Sequence, residues 1–93
     1  MKTAELKRLL TLGTGITLVS FVDGTGTERA TKYKHIRRVI CHVQGNAVCM
    51  GESVKTQRGQ WSWLYWPKAD QLEATADGFS IDDGFIKLTY RLG

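Results

Sequence analysis

The sequence has little cysteine, little proline and no long apolar run, and each shortage excludes a class of protein. Two cysteines without any other sign of secretion do not form a disulfide framework. No apolar run approaches the roughly 20 residues that a membrane-spanning helix needs. A single proline beside ten glycines favours tight turns between short strands over long helices.

The N-terminus has some features of a signal peptide but lacks others. Lys7 and Arg8 precede two leucines, yet Glu5 lies in the segment that should be positive and Gly13 interrupts the apolar stretch. No small-residue cleavage site follows. We therefore expect a cytoplasmic protein that does not enter a membrane.

The 93 residues are predicted to form one small, mainly β domain, 1–93. Leu6, Leu9 and Leu10 have helical spacing and predict a helix over residues 3–12, ending at Gly13 and covering one end of the core. Turn signals at regular spacing predict about five or six antiparallel strands over residues 16–92. Such short, strongly turned strands favour a small SH3-like or OB-like barrel, since closure hides the sheet edges.

Two hairpins follow from their turn residues. Gly45-Asn46 pairs residues 36–44 with 47–52, so that Cys41 opposes Met50 and the two cysteines lie on opposite faces. The predicted apolar face of this hairpin contains Val39, Cys41, Val43, Val48 and Met50. Asp83-Gly84 forms the second turn and pairs Ile81 with Ile86. The core face of the second hairpin is predicted to contain Phe79, Ile81, Ile86, Leu88, Tyr90 and Leu92, with Ser80, Lys87, Thr89 and Arg91 outside.

All three tryptophans lie in the aromatic run at residues 61–66, which is predicted to be a strand stopped by Pro67. Alternation places Trp61, Trp63 and Tyr65 on one face and Leu64 with Trp66 on the other. Burying three large aromatic side chains of roughly 150–250 Å² each, at about 25 cal/mol/Å², contributes on the order of 10–19 kcal/mol. The Trp61 face is therefore predicted to be core, and the Leu64 face to be a surface or interface.

Positive charge is concentrated between residues 29 and 58, although the net charge is only +4. A fold that gathers these residues on one side forms an electropositive face for phosphates or for an acidic protein, whereas a solvated surface is the alternative interpretation. The predicted binding residues are Arg29, Lys32, Lys34, Arg37, Arg38, Lys55, Arg58, Leu64 and Trp66.

No pattern in the sequence predicts catalysis, a metal or a cofactor. His42 and Cys49 are predicted to share a face, but no third ligand converges with them and nothing orients a Cys–His pair for catalysis. Asp82-Asp83 is explained by its turn, and the Gly-x-Gly segments do not join a strand to a helix as a phosphate loop does.

We therefore predict a non-enzymatic binding module and keep two hypotheses. The first is a stoichiometric inhibitor or adaptor that binds a protein partner, either acidic or associated with nucleic acid. The second is a barrel that binds single-stranded DNA or RNA through basic and aromatic residues. The modest charge favours the first, and a homodimer is compatible with either.

Overall fold

The computed structural model describes residues 1–55 and 62–93. Within these residues, one helix precedes seven strands and a single turn of 3₁₀ helix (Ala69–Gln71). The helix is α1 (Thr3–Leu9). The strands are β1 (Gly15–Asp23), β2 (Arg38–Val43), β3 (Ala47–Gly51), β4 (Ser62–Tyr65), β5 (Leu72–Ala74), β6 (Gly78–Asp82) and β7 (Ile86–Leu92).

The strands form one antiparallel sheet in the order β4-β3-β2-β1-β7-β6-β5. The prediction of a mainly β fold is confirmed, with more strands than expected. The sheet is open, because β4 and β5 are its edges and no ladder joins them within the described residues.

The core contains residues from both edges of this sheet. Leu64 from one edge strand and Leu72 from the other belong to the same buried cluster, together with Phe79 and Tyr90. Such a cluster requires the sheet to curl strongly, since two flat edges would be far apart. The outer strands thereby supply one shared core.

Helix α1 covers this core with Leu6, and the residue after the helix, Leu10, adds to this cover; both are fully buried as predicted. Leu9 is exposed instead, and the helix ends there rather than at residue 12. The chain then turns at Gly13, whose φ of 87° favours glycine. The Gly13 N–H donates to the Ile40 carbonyl at 2.8 Å, which directs the chain into the sheet rather than into another helical turn.

The β2–β3 hairpin has the predicted pairing near its turn but not beyond it. Val43 pairs with Val48 and His42 with Cys49, whereas Met50 pairs with Ile40 rather than with Cys41. The pairing shifts because a β-bulge interrupts the ladder between Ile40 and His42. Ile40 consequently joins the core, and the predicted apolar face containing Val39 and Cys41 is wrong.

The bulge also changes the relation between the cysteines. The Cys41 thiol lies 3.5 Å from the Cys49 carbonyl oxygen, to which it donates a hydrogen bond, and both thiols are free and buried. Met50 pairs with Ile40, and the Cys41 side chain also interacts with the Cys49 side chain, so the prediction that Cys41 opposes Met50 on a different face from Cys49 is wrong.

The β6–β7 hairpin keeps the predicted core face except for Ile86, which does not pack against the core cluster, and it has a different pairing. Ile81 pairs with Leu88, and the two-residue loop is Gly84-Phe85 rather than Asp83-Gly84. The Asp83 carboxylate accepts hydrogen bonds from the Phe85 and Ile86 N–H groups at 2.8 and 2.9 Å, which fixes this turn. Because the register moves by two residues, Phe79 and Tyr90 still face the core, although Ser80 is also buried.

Candidate functional site

The aromatic strand β4 exposes to solvent the face that was predicted to lie in the core. Trp63 is 43% exposed and Tyr65 is 65% exposed, whereas Leu64 between them is only 5% exposed. The predicted alternation is present, but the assignment of core and surface is wrong. Trp61 and Arg58 lie outside the described residues.

Pairing with β3 determines this orientation. Leu64 lies opposite Val48, whose side chain is part of the core, so Leu64 must face inward as well. Trp63 lies opposite Cys49 and Tyr65 opposite Ala47, on the other side of the sheet.

Trp66 also differs from its prediction as an exposed residue of a surface or interface. It is partly buried against the core, and the Lys7 ammonium lies 5.6 Å from the centre of its ring. Its backbone N–H donates to the Asn46 carbonyl at 3.1 Å. Trp66 therefore helps to fix the end of the edge strand beside α1.

We call His42, Trp63 and Tyr65 the aromatic surface. The His42 and Trp63 rings meet edge to face, with their centres 6.1 Å apart. The neighbouring β3 residues on this side, Cys49 and Ala47, are small and fully covered. The aromatic surface thus combines two exposed side chains of the edge strand with a half-buried histidine of β2 that contacts one of them.

Cys49 and His42 do share a face, but their environment does not activate the thiol. Burial, followed by the interaction with Cys41, raises the pKa of Cys49 to about 11. The thiol is therefore protonated at neutral pH, whereas a nucleophilic cysteine needs a lowered pKa.

Three of the predicted basic residues are engaged within the fold. Arg29 forms an ion pair with Asp23 at 3.4 Å, and Lys34 forms one with Glu28. The Lys34 contact and two further hydrogen bonds lower the pKa of Glu28 to about 2. Arg37 donates through Nε to the Gly93 carbonyl oxygen at 2.9 Å. The two ion pairs reduce the positive charge that Arg29 and Lys34 present to a ligand.

Lys32 and Arg38 converge on Tyr33 instead. The Lys32 ammonium lies 5.1 Å and the Arg38 guanidinium carbon 4.6 Å from the centre of the Tyr33 ring. Cation–π contacts of this length stabilise by about 0.5–2 kcal/mol, depending on burial. Lys55 is exposed.

Arg38 is unusual because it is 7% exposed, although sequence analysis placed it on the surface. Its Nη1 donates to the Ser62 hydroxyl, while its buried Nη2 has no hydrogen-bond partner among the described residues. Neither ion pair within those residues includes Arg38. A buried guanidinium without a carboxylate partner carries a desolvation penalty of several kcal/mol.

Arg38 forms part of the wall of a cavity of about 80 Å³, which we call the Arg38 pocket. The remaining wall residues are Ile16, Leu18, Tyr33, Met50, Ser62, Trp63 and Tyr90. Most of this wall is apolar, so the positive charge of Arg38 is poorly screened there. Burial raises the pKa of Tyr90 to about 12, which leaves its hydroxyl neutral beside the guanidinium.

Sequence reasoning identified Arg38 but missed Tyr33, Ser62, Trp63 and Tyr65 as site residues. The pairing of β1 with β2 places Arg38 opposite Ile16, on the inward face. The alternation of β2 and β4 indicated which residues share a face, and the missing information was which of the two faces is covered.

Among residues 1–55 and 62–93, no three histidine, cysteine or acidic side chains come together as metal ligands. The described helices also include none that is long and apolar enough to cross a membrane. Comparison with protein-family models, with curated proteins and with solved structures found no significant match.

Proposed function

We propose that this chain is a small, non-enzymatic protein-binding module that contacts its partner through the aromatic surface. Trp63 and Tyr65, both exposed on an edge strand, are the observation that carries this proposal. Tryptophan and tyrosine are enriched among the residues that dominate binding energy at protein interfaces. A monomer with two exposed rings lacks the stabilisation that burial of these rings would give. A partner that covers the rings supplies this free energy on binding.

The charges support an acidic partner. Arg29 and Lys34 form ion pairs with carboxylates of the chain itself. Fewer cations are therefore available to form an extended surface that binds phosphates. Positive charge remains at Lys32 and Arg38, close to the rings of Tyr33 and Trp63. A stoichiometric inhibitor or adaptor of a nucleic-acid-handling protein fits this combination, because such partners often carry matching charged patches.

The proposal is tested by capture from extracts of the native host with the immobilised chain, with and without nuclease. We expect a partner that survives nuclease treatment and whose recovery falls at least tenfold with Tyr65→Ala, since anchor residues contribute about 2 kcal/mol or more. Phe85→Ala is the matched control, because Phe85 is 79% exposed in the β6–β7 loop and lies outside the aromatic surface. Equal recovery by all three proteins contradicts the proposal.

A nucleic-acid-binding module is the second candidate, and the cation–aromatic group at Tyr33 favours it. Base stacking on rings beside cations is the usual mode of single-strand binding. Arg38 is buried, so the informative charge changes are at the exposed residues Lys32 and Arg37. Binding of single-stranded oligonucleotides that weakens steeply with salt and with Lys32→Glu would support this candidate. Absence of binding at low salt would eliminate it.

A homodimer through the aromatic surface is a further form of the protein-binding proposal. Sedimentation of the wild type and of Tyr65→Ala over a range of concentrations tests it. A dimer that Tyr65→Ala dissociates identifies a second copy as the partner. A monomer at all concentrations contradicts the homodimer and is the result expected if the aromatic surface binds a different protein.

The finer architecture and the location are also proposals. The shared core of β4 and β5 supports an SH3-like or OB-like curl, which close contacts between protons of these two strands in NMR spectra would establish. The two free thiols, Cys41 and Cys49, support a reducing cytoplasm. Alkylation of freshly lysed cells tests this, since a single mixed or intrachain disulfide would contradict it.

A further inference from the structure

The outer edge of β4 presents main-chain hydrogen-bonding groups beside the aromatic surface. Antiparallel alternation determines which groups these are, because the Trp66 N–H donates to the carbonyl of Asn46, immediately before β3. Leu64, two residues earlier in the ladder, therefore also bonds to β3. The N–H and C=O groups of Trp63 and Tyr65 point the other way, where no strand or loop of residues 1–55 and 62–93 pairs with them.

This edge lacks the features that usually prevent a sheet from pairing with another chain. Exposed edges are commonly protected by charged side chains, proline, bulges or very short strands. The four residues of β4 are uncharged, and its ladder with β3 has no bulge. The opposite edge, β5, has only three residues and includes the exposed Glu73. β4 is therefore the edge that can accept a further strand.

The sequence of β4 is complementary to a second copy of itself. When two β4 strands run antiparallel about a two-fold axis at Leu64, Trp63 of each copy lies opposite Tyr65 of the other. Each of these pairs exchanges both of its N–H···O bonds, so every outward group gains a partner. Aromatic side chains directly opposite each other stabilise the pairing further. Pairing centred on Tyr65 would instead place Trp63 opposite Pro67, which has no N–H to donate.

We propose that two copies of this chain pair through β4 and form one continuous sheet across a two-fold axis centred on Leu64. The two aromatic surfaces then lie side by side on the outer face of that sheet. This inference rests on the proposed function, because it names a second copy as a partner of the strand that carries the aromatic surface. The paired rings still face outward, where they can contact an acidic protein.

Amide hydrogen exchange tests the pairing in the unmodified chain, at concentrations where sedimentation shows the monomer and the dimer. In the monomer, we expect the Trp63 and Tyr65 amides to exchange rapidly and the Leu64 and Trp66 amides slowly, because the latter bond to β3. In the dimer, the Trp63 and Tyr65 amides should exchange at least about tenfold more slowly, with Leu64 as the internal control. A monomer at all concentrations up to about 1 mM overturns the inference, as does a dimer in which these two amides still exchange rapidly.

Two substitutions at Tyr65 separate the main-chain bonds from the ring. Tyr65→Ala and Tyr65→Pro both remove the ring, but only proline removes the outward N–H, a change that edge strands tolerate. We expect Tyr65→Pro to weaken the dimer on the order of tenfold more than Tyr65→Ala, because each copy loses one main-chain hydrogen bond. Equal dimer affinities of the two variants, both folded by circular dichroism, would show that the rings alone hold the dimer and would overturn the inference. If Tyr65→Pro does not fold, the exchange rates of the wild type decide.

The failure of this inference is distinguishable from the failure of the proposed function. A chain that stays monomeric, while capture of a host protein depends on Tyr65, keeps the proposed function and rejects the pairing. A dimer with protected amides, together with equal capture by the wild type, Tyr65→Ala and Phe85→Ala, keeps the pairing and rejects the aromatic surface as the contact for another protein.

Discussion

Because Arg38 is buried, we predict that Ser62 contributes far more to the free energy of unfolding than its small side chain suggests. Ser62 accepts the hydrogen bond from Arg38 Nη1, and Nη2 has no partner among the described residues. Ser62→Ala removes that acceptor and leaves the guanidinium without a hydrogen bond there. Hydrogen bonds to charged groups contribute about 1.5–3 kcal/mol, so we expect a loss of about 2 kcal/mol in the free energy of unfolding. For a domain of this size, the midpoint temperature should fall by about 8–16 °C.

The opposite result is expected when the charge itself is removed. Arg38→Met keeps an apolar stem of similar shape against Tyr33 and removes the desolvation penalty. Replacing buried ionic groups by apolar ones is often neutral or stabilising by about 1–4 kcal/mol. In the Arg38→Met background, Ser62→Ala should therefore cost less than about 0.5 kcal/mol.

Urea denaturation of the four proteins in this double-mutant cycle measures the coupling directly. We expect a coupling free energy of about 1.5 kcal/mol or more between Arg38 and Ser62. Arg37→Met serves as the control, because substitutions of exposed arginines usually change stability by less than about 0.5 kcal/mol. A coupling below about 0.5 kcal/mol, or strong destabilisation by Arg38→Met alone, would refute the account of Arg38 as a buried cation held by its hydrogen bond to Ser62.

Other positions give simpler expectations. Phe79→Ala should cost about 3–5 kcal/mol in urea denaturation because Phe79 is fully buried, whereas Phe85→Ala should cost almost nothing. Gly84→Ala should cost about 1–2 kcal/mol, since its φ is 89°, although no atom lies within 4 Å of an added Cβ. The folded pKa of Glu28, about 2, is below its ordinary value of 4.5, so its contribution is present above pH 4.5 and lost as the pH falls towards 2. Glu28→Gln should therefore reduce the loss of stability over this window in acid titrations followed by circular dichroism.

Local sequence signals predicted much of the secondary structure. The helix at Leu6 and Leu10, the turn at Gly45-Asn46 and the alternating core residues of the last hairpin all follow from short-range patterns. The pairing of that hairpin was displaced by two residues because the Asp83 side chain binds the turn N–H groups. Side-chain capping of this kind depends on geometry that periodicity does not contain.

The bulge at Cys41 shows why hairpin faces were only partly predictable. One extra residue reverses the alternation on one side of it, and no glycine or proline marks the position in β2. The sequence therefore placed Cys41 rather than Ile40 in the core.

The prediction of which face of the aromatic strand is buried was wrong for a different reason. The burial estimate considered only the areas of Trp61, Trp63 and Tyr65, and ignored the residues that already fill the core. Leu64 faces inward because β3 presents Val48 and Met50 there, and the core is completed by α1 and by Phe79. Which face is covered depends on these distant elements, and the burial of Arg38 depends on them as well.

Hydroxyl-radical footprinting of the free chain and of its complex with the captured partner tests the central claim most directly. This method reports the solvent exposure of individual aromatic side chains, including Trp63, Tyr65 and Phe85. We predict that Trp63 and Tyr65 react in the free chain and are protected in the complex, while Phe85 reacts equally in both. Protection of Phe85 with unchanged reactivity of Trp63 and Tyr65 would show that the partner binds elsewhere and would contradict the account.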